Sequence, residues 1–167
     1  MKPKAAVPRE VIVRVADWAA EQGDTVIVTL GLGSCVAIML HDPAAKIGAM
    51  AHVLLPSKSL ARDTTNLAKF PETAVPLMLE RLSALGAERR RIVAKLAGGA
   101  AMFAQLMTPG SIQMGERNVV ASRNALHAAG LPLVAEAVGG SAGRSVRFSV
   151  ADGRVVIRSV GQDEYAI

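Results

Sequence analysis

The sequence predicts an α+β fold of the α/β sandwich type, with mixed β-sheets packed together and flanked by helices. Three observations carry that expectation. β-branched runs stand near both ends of the chain. In the middle, apolar residues switch twice to helical spacing, each time followed by glycine and another apolar run. Near the end, Asp152-Gly153 lies between two stretches that alternate polar and apolar, the pattern of a tight hairpin. With hairpins at both ends and alternating elements between them, a purely parallel sheet is not expected. A length of 167 residues suits one domain, expected to span the whole chain with about the first eight residues flexible.

Taken in order, Glu10 to Ala16 (EVIVRVA) and Thr25 to Leu30 (TVIVTL) read as strands, with ADWAAEQGD between them as a loop. CVAIMLHD and IGAMAHVLL follow as a hairpin across PAAK, where Asp42 and Pro43 favour a turn. Ser57 to Phe70 is polar and without period, hence a long exposed loop. Ala74, Leu77, Met78, Leu82 and Leu85 then fall at helical spacing, with Pro71 and Pro76 early and Gly86 as a C-terminal cap. RIVAKLA is a strand ending at Gly98-Gly99. A second helix from about Arg117 to Ala129 stops at Gly130, and LPLVAEAV ends at Gly139-Gly140. The match of VAKLAGG with VAEAVGG is consistent with a duplicated α-β unit.

Composition narrows the function. The chain is 51% hydrophobic and carries a net charge of +5, with its sharpest basic cluster at Arg89, Arg90 and Arg91. Only 3% of residues are aromatic, so bases have little to stack on; a solvated helix-to-strand corner explains the cluster better than nucleic-acid binding. The N-terminus lacks the apolar block of a signal peptide, and the longest uncharged stretch is too short and glycine-broken to cross a membrane. A single cysteine allows no intramolecular disulfide. The expected location is the cytoplasm.

That cysteine, Cys35, follows Gly31, Gly33 and Ser34. In the hairpin, residues whose numbers sum to 87 to 89 face each other, which places His52 opposite a position between 35 and 37. Cys35 and His52 then come within side-chain reach. An imidazolium beside a thiol favours the thiolate, the reactive form, and a third polar group normally orients the ring. Thr29 is the nearest hydroxyl for that task and Ser34 the other. The turn at Gly33 and Ser34 is the candidate oxyanion and substrate site, because its backbone N–H groups and small side chains leave room for substrate. Each residue also has a plain structural reading: Cys35 as a packed thiol, His52 as a satisfied core histidine, Thr29 as a strand residue. A dinucleotide fingerprint fails at Val36, where the third glycine is needed. His41, His52 and His127 form no metal pattern with one cysteine, and no cofactor is called for. The methionines, Met39, Met50 and Met102 among them, read as core filler.

VTLGLGSCVAIMLHDPAAKIGAMAHVLLP closely resembles the signature of the CheD family, the chemoreceptor glutamine deamidases of bacterial and archaeal chemotaxis. AKLAGGAAMF, IQMGERNV, AEAVGGSAGRSVRF and DGRVVIRSV follow in family order, so the likeness runs from about Val26 to Val160. The resemblance implies Cys35 as nucleophile, His52 as its partner and Thr29 as third member of a triad. It implies deamidation of glutamines in methyl-accepting chemotaxis receptors through a thioester, with hydrolysis of glutamyl methyl esters in some members. It also implies a CheC-type phosphatase as partner. A non-catalytic module that docks on receptors or on that phosphatase is the alternative. Phe70 stands where the family often has tyrosine, and the loop Ser57 to Lys69 has its own composition. Gly98-Gly99, Asn118 and Gly139-Gly140 lie in family motifs and read as turns and caps, with direct substrate contact as the alternative, while Arg117 and Arg144 read either as ion-pair residues or as contacts to acidic receptor helices.

Overall fold

The computed structural model describes residues 1–167. Ten strands form two mixed sheets. The first contains β1 (Arg9–Ile12), β3 (Thr25–Leu32), β8 (Arg144–Ser149), β9 (Val155–Arg158) and β10 (Tyr165–Ala166), in that spatial order. The second runs β2 (Trp18–Gln22), β5 (Ile47–Val53), β4 (Val36–Asp42), β6 (Val93–Gly98) and β7 (Leu133–Val138). Only β1 with β3 and β6 with β7 pair in parallel. Helices α1 (Pro71–Ala84) and α2 (Met114–Ala128) both cover the outer face of the second sheet, so the layers are sheet, sheet, helices. The fold is α+β, as its sequence predicts, with helices flanking one side.

The middle layer explains its own sequence. Every residue of β4 and β5 is buried, because one face meets the other sheet and the opposite face meets the helices. VAIML and IGAMA therefore show no polar alternation. Val36, Ile38, Leu40, Ala49 and Ala51 pack under α1 and α2, while Ala37, Met39 and Met50 face Ile27, Val146 and Phe148 across the inter-sheet seam. Each large side chain fully buried in these cores contributes about 1.5 to 3 kcal/mol. Gly48 makes the seam possible, since a Cβ there would lie 2.8 Å from the Phe148 ring.

Several elements differ from expectation. Trp18–Gln22, expected as loop, is an edge strand antiparallel to β5, formed by main-chain pairing rather than by β-branched side chains. The segment from Ser57 is exposed as predicted until its end, where Ala68 and Phe70 turn into the core and Leu54 and Leu55 N–H groups both donate to the Lys69 carbonyl. Helix α2 begins three residues before Arg117. The two α-β units lie side by side, and Gly98-Gly99 and Gly139-Gly140 all have positive φ, so both strands leave the sheet through the same left-handed pair.

The arginine cluster is used within the chain. Arg91 grips the fully buried Asp42 through Nε at 2.9 Å and Nη2 at 3.0 Å, Arg90 pairs with Glu88, and Arg89 donates to the Ala129 carbonyl. Burial raises the Asp42 pKa. The Arg91 guanidinium and the Glu88 and Ala45 N–H groups outweigh that and hold it at about 2. A carboxyl depressed in the folded state contributes stability that is complete above its unfolded pKa, near 4, and lost as pH falls through about 2. Arg91→Ala strands that charge, and urea unfolding at neutral pH is expected to show a clear loss of stability. Its acid unfolding is expected to begin at higher pH than in the native protein.

Candidate active site

Strand β3 delivers the first group. Between Thr29 and Leu32 it carries a bulge, one residue more than β8 spends between Val146 and Arg144, with Gly31 at φ +67° inside it. The bulge sends Leu30 and Gly31 outward and turns both Thr29 and Leu32 inward. Beyond it, residues 33–35 cross from the first sheet to the second, and Cys35 enters β4 on the seam side.

His52 comes from β5. The hairpin register pairs Ala37 with His52, at the upper end of the predicted range, so Cys35 lies on the diagonal from His52 on the same face. From across the seam, Thr29 Oγ1 sits 2.7 Å from His52 Nδ1 and donates to the Val13 carbonyl, also at 2.7 Å. A hydroxyl has one proton, and a carbonyl can only accept. Thr29 therefore accepts from His52, which places the ring proton on Nδ1 and leaves Nε2 with a free lone pair. That Nε2 is buried and has no partner within the chain. The two sheets thus join in a relay ending on an unprotonated nitrogen.

Electrostatics differ from the ion pair expected from sequence. Burial pushes the Cys35 thiol above its ordinary value, against a smaller opposing pull from its own backbone N–H. Burial pushes His52 down to about 4. Both shifts favour the neutral forms, so the proton rests on sulfur in the closed site. Cys35 is only 9% exposed and His52 is inaccessible, which suits a narrow side chain entering end-on.

Gly33 and Ser34 lie in the crossing between the sheets. The Gly33 carbonyl accepts from Ala100 N–H and the Cys35 carbonyl from Gly99 N–H, both at 2.8 Å. The N–H groups of Gly33 and Ser34 donate to no backbone or side-chain acceptor, and the Cys35 N–H meets only its own sulfur. Ser34 does not reach the imidazole, whose Nδ1 is taken by Thr29. Gly98 makes room: a Cβ there would lie 2.3 Å from the Cys35 carbonyl.

Sequence reasoning missed two contributors. The Val13 carbonyl fixes the Thr29 proton, and no side chain signals it. Asn118, read as a turn or cap residue, is fully buried inside α2 and touches the Cys35 crossing. Its signal was a polar residue in the helical stripe Gly115, Asn118, Val119, Ser122 and Leu126 that faces inward. Met102, read as core, is half exposed and lies over Gly33. Arg144 makes neither an ion pair nor an outward contact; it binds the carbonyls of Ala137, Gly139 and Ala142 and holds that turn together.

Known proteins share this arrangement of sequence. Residues 54–159 match the family model described as CheD chemotactic sensory transduction. A Thermotoga maritima protein named chemoreceptor glutamine deamidase CheD is 41% identical over 153 residues, covering 92% of this chain and 94% of its own. Proteins named probable chemoreceptor glutamine deamidase CheD from Methanococcus vannielii and Caldanaerobacter subterraneus are 47% and 38% identical, covering 87% and 89% of this chain and 92% of each relative. A solved Neisseria meningitidis structure of the DUF152 family superposes with a TM-score of 0.51 at 11% identity, over 80% of this chain and 65% of that one, a likeness of fold alone. On the family model and on relatives that align along most of its length, the chain belongs to the CheD family.

Proposed function

We propose that this protein is a cysteine-dependent glutamine deamidase acting on the cytoplasmic helical bundles of methyl-accepting chemotaxis receptors. The observation that carries the reading is the relay from the Val13 carbonyl through Thr29 to His52, which leaves Nε2 as a free base on the same inner face as the only thiol. The names of the relatives supply the substrate class.

The chemistry follows from those groups. As Cys35 sulfur attacks the glutamine side-chain carbonyl carbon, its proton passes to His52 Nε2, and Thr29 steadies the imidazolium through Nδ1. The oxyanion of the tetrahedral intermediate takes hydrogen bonds from the turn at Gly33, Ser34 and Cys35, whose N–H groups donate to no other residue. The carbon–nitrogen bond breaks and His52 returns the proton to departing ammonia, leaving a thioester. Water, deprotonated by His52, cleaves the thioester; glutamate is released and the thiol is restored. A glutamyl methyl ester follows the same course with methanol as leaving group.

The docking partners are the receptors and a CheC-type phosphatase competing for the same mouth. Met102, Phe103, Leu106 and Ile112 are exposed, and Met102 overlies the Gly33 turn, so an apolar surface adjoins the site. No helix is long and apolar enough to cross a membrane.

A receptor cytoplasmic fragment incubated with the native protein is expected to lose glutamine amide and gain acid at particular positions, read by peptide mass spectrometry. Fragments that bind yet stay unconverted across the receptors of the same organism would leave only the occupancy role.

A further inference from the structure

The crossing that presents Cys35 is held by one side chain from a helix that otherwise takes no part in the site. Asn118 Nδ2 donates to the Ser34 carbonyl at 2.9 Å and to the Leu54 carbonyl at 3.1 Å. Ser34 directly precedes the nucleophile, and Leu54 follows His52 by two residues. One amide group, with one hydrogen for each carbonyl, ties together the chain segments that carry both reacting side chains. The reverse amide orientation would set Oδ1 against two carbonyl oxygens, so the donor assignment is fixed by its partners.

Peptide geometry carries the consequence. All peptide bonds are trans, so each N–H points opposite to the carbonyl of its own peptide plane. Fixing the Ser34 carbonyl on Asn118 therefore aims the Cys35 N–H away from α2. Fixing the Gly33 carbonyl on Ala100 aims the Ser34 N–H away from residues 99–100 in the same manner. The Ser34 N–H stays free of acceptors, and the Cys35 N–H donates to no other residue and lies against its own sulfur.

The remaining atom of the amide makes the same point. Asn118 Oδ1 is buried with no partner within the chain, a cost that an apolar side chain at this position would not carry. Its two donors account for its presence.

We propose that Asn118 is a positioning residue, which sets the plane of the Ser34–Cys35 peptide so that its N–H serves as an oxyanion donor and locks the spacing between nucleophile and base. This rests on the reading of Cys35 as nucleophile given above, and goes beyond it by assigning the donor and the device that aims it.

The test compares Asn118→Ala and Asn118→Ser with Leu126→Ala, a pure packing loss in the same helix. Per folded molecule, Asn118→Ala is expected to lower kcat on a receptor fragment by about a hundredfold with KM nearly unchanged. Asn118→Ser, which keeps one donor, is expected to fall between, and Leu126→Ala to keep the native kcat. Alkylation of Cys35 by iodoacetamide, followed from about pH 6 to pH 10, needs no receptor; its profile is expected to move to higher pH in the Asn118 variants only. In the native protein both Asn118 side-chain amide protons are expected to exchange slowly with solvent, a reading that stands if Asn118→Ala fails to fold. Native kcat and native alkylation profile in a folded Asn118 variant, or fast exchange of either amide proton, would overturn the proposal. If the native protein deamidates nothing but the Asn118 variants still displace the alkylation profile, the deamidase reading fails and the positioning role stands.

Discussion

Cys35→Ala is expected to abolish deamidation, lowering turnover of a receptor glutamine by at least about ten-thousandfold, while the fold and receptor binding persist. The thiol is the only one in the chain, so no neighbour can substitute for it. Its side chain is small and sits at the rim of the inter-sheet core, so alanine removes little packing; the stability loss is expected to be about 1 kcal/mol. What remains is a docking surface with backbone donors and a base but no atom to form the thioester. Two measurements decide: peptide mass spectrometry for amide loss and sedimentation for receptor binding. Retained turnover would make the thiol incidental. Lost binding in a folded variant would mean that Cys35 takes part in docking.

His52→Ala removes the base and is expected to cost about a thousandfold or more in kcat. Thr29→Val is the graded companion, about a hundredfold, because it leaves Nε2 in place but frees the proton to sit on either ring nitrogen. The same geometry sets a pH profile. Burial holds His52 at about 4, so the base stays neutral above that value, and kcat/KM is expected to fall on the acid side with a midpoint near 4. An unperturbed imidazole would place the fall near 6.5. The two are separated by measuring kcat/KM against pH under first-order conditions, with folding checked at each point. A midpoint near 6.5 would show a solvated imidazole, and the inter-sheet relay would not be the working state.

How far the sequence foretold this depends on how local the determinant is. Cys35 and His52 were legible because a short turn brings them together, and the register landed within the predicted range. Thr29 was legible as a nearby hydroxyl, although its contact with His52 depends on two sheets docking. Trp18–Gln22 was missed because WAAEQ lacks the β-branched side chains that advertise a strand; it pairs at an edge, where main-chain bonds suffice. The neutral forms that burial favours for Cys35 and His52 are not legible in the sequence, because their proximity is set by the hairpin while their desolvation is set by the whole core. Asn118 lay hidden for a similar reason: its partners are 84 and 64 residues away in the chain.

The relay through Val13, Thr29 and His52 spans both sheets, and the clamp on Cys35 reaches Asn118. Thr29 lies on β3, whose antiparallel partner β8 stands far along the chain, with Thr29 registered opposite Val146, so its strand is held by long-range pairing rather than by a local turn. Docking of such distant strands is slow compared with local hairpin closure. Cys35 and His52 are therefore expected to meet early, through their own hairpin, and the hydroxyl that orients the imidazole to arrive with the later docking of the two sheets.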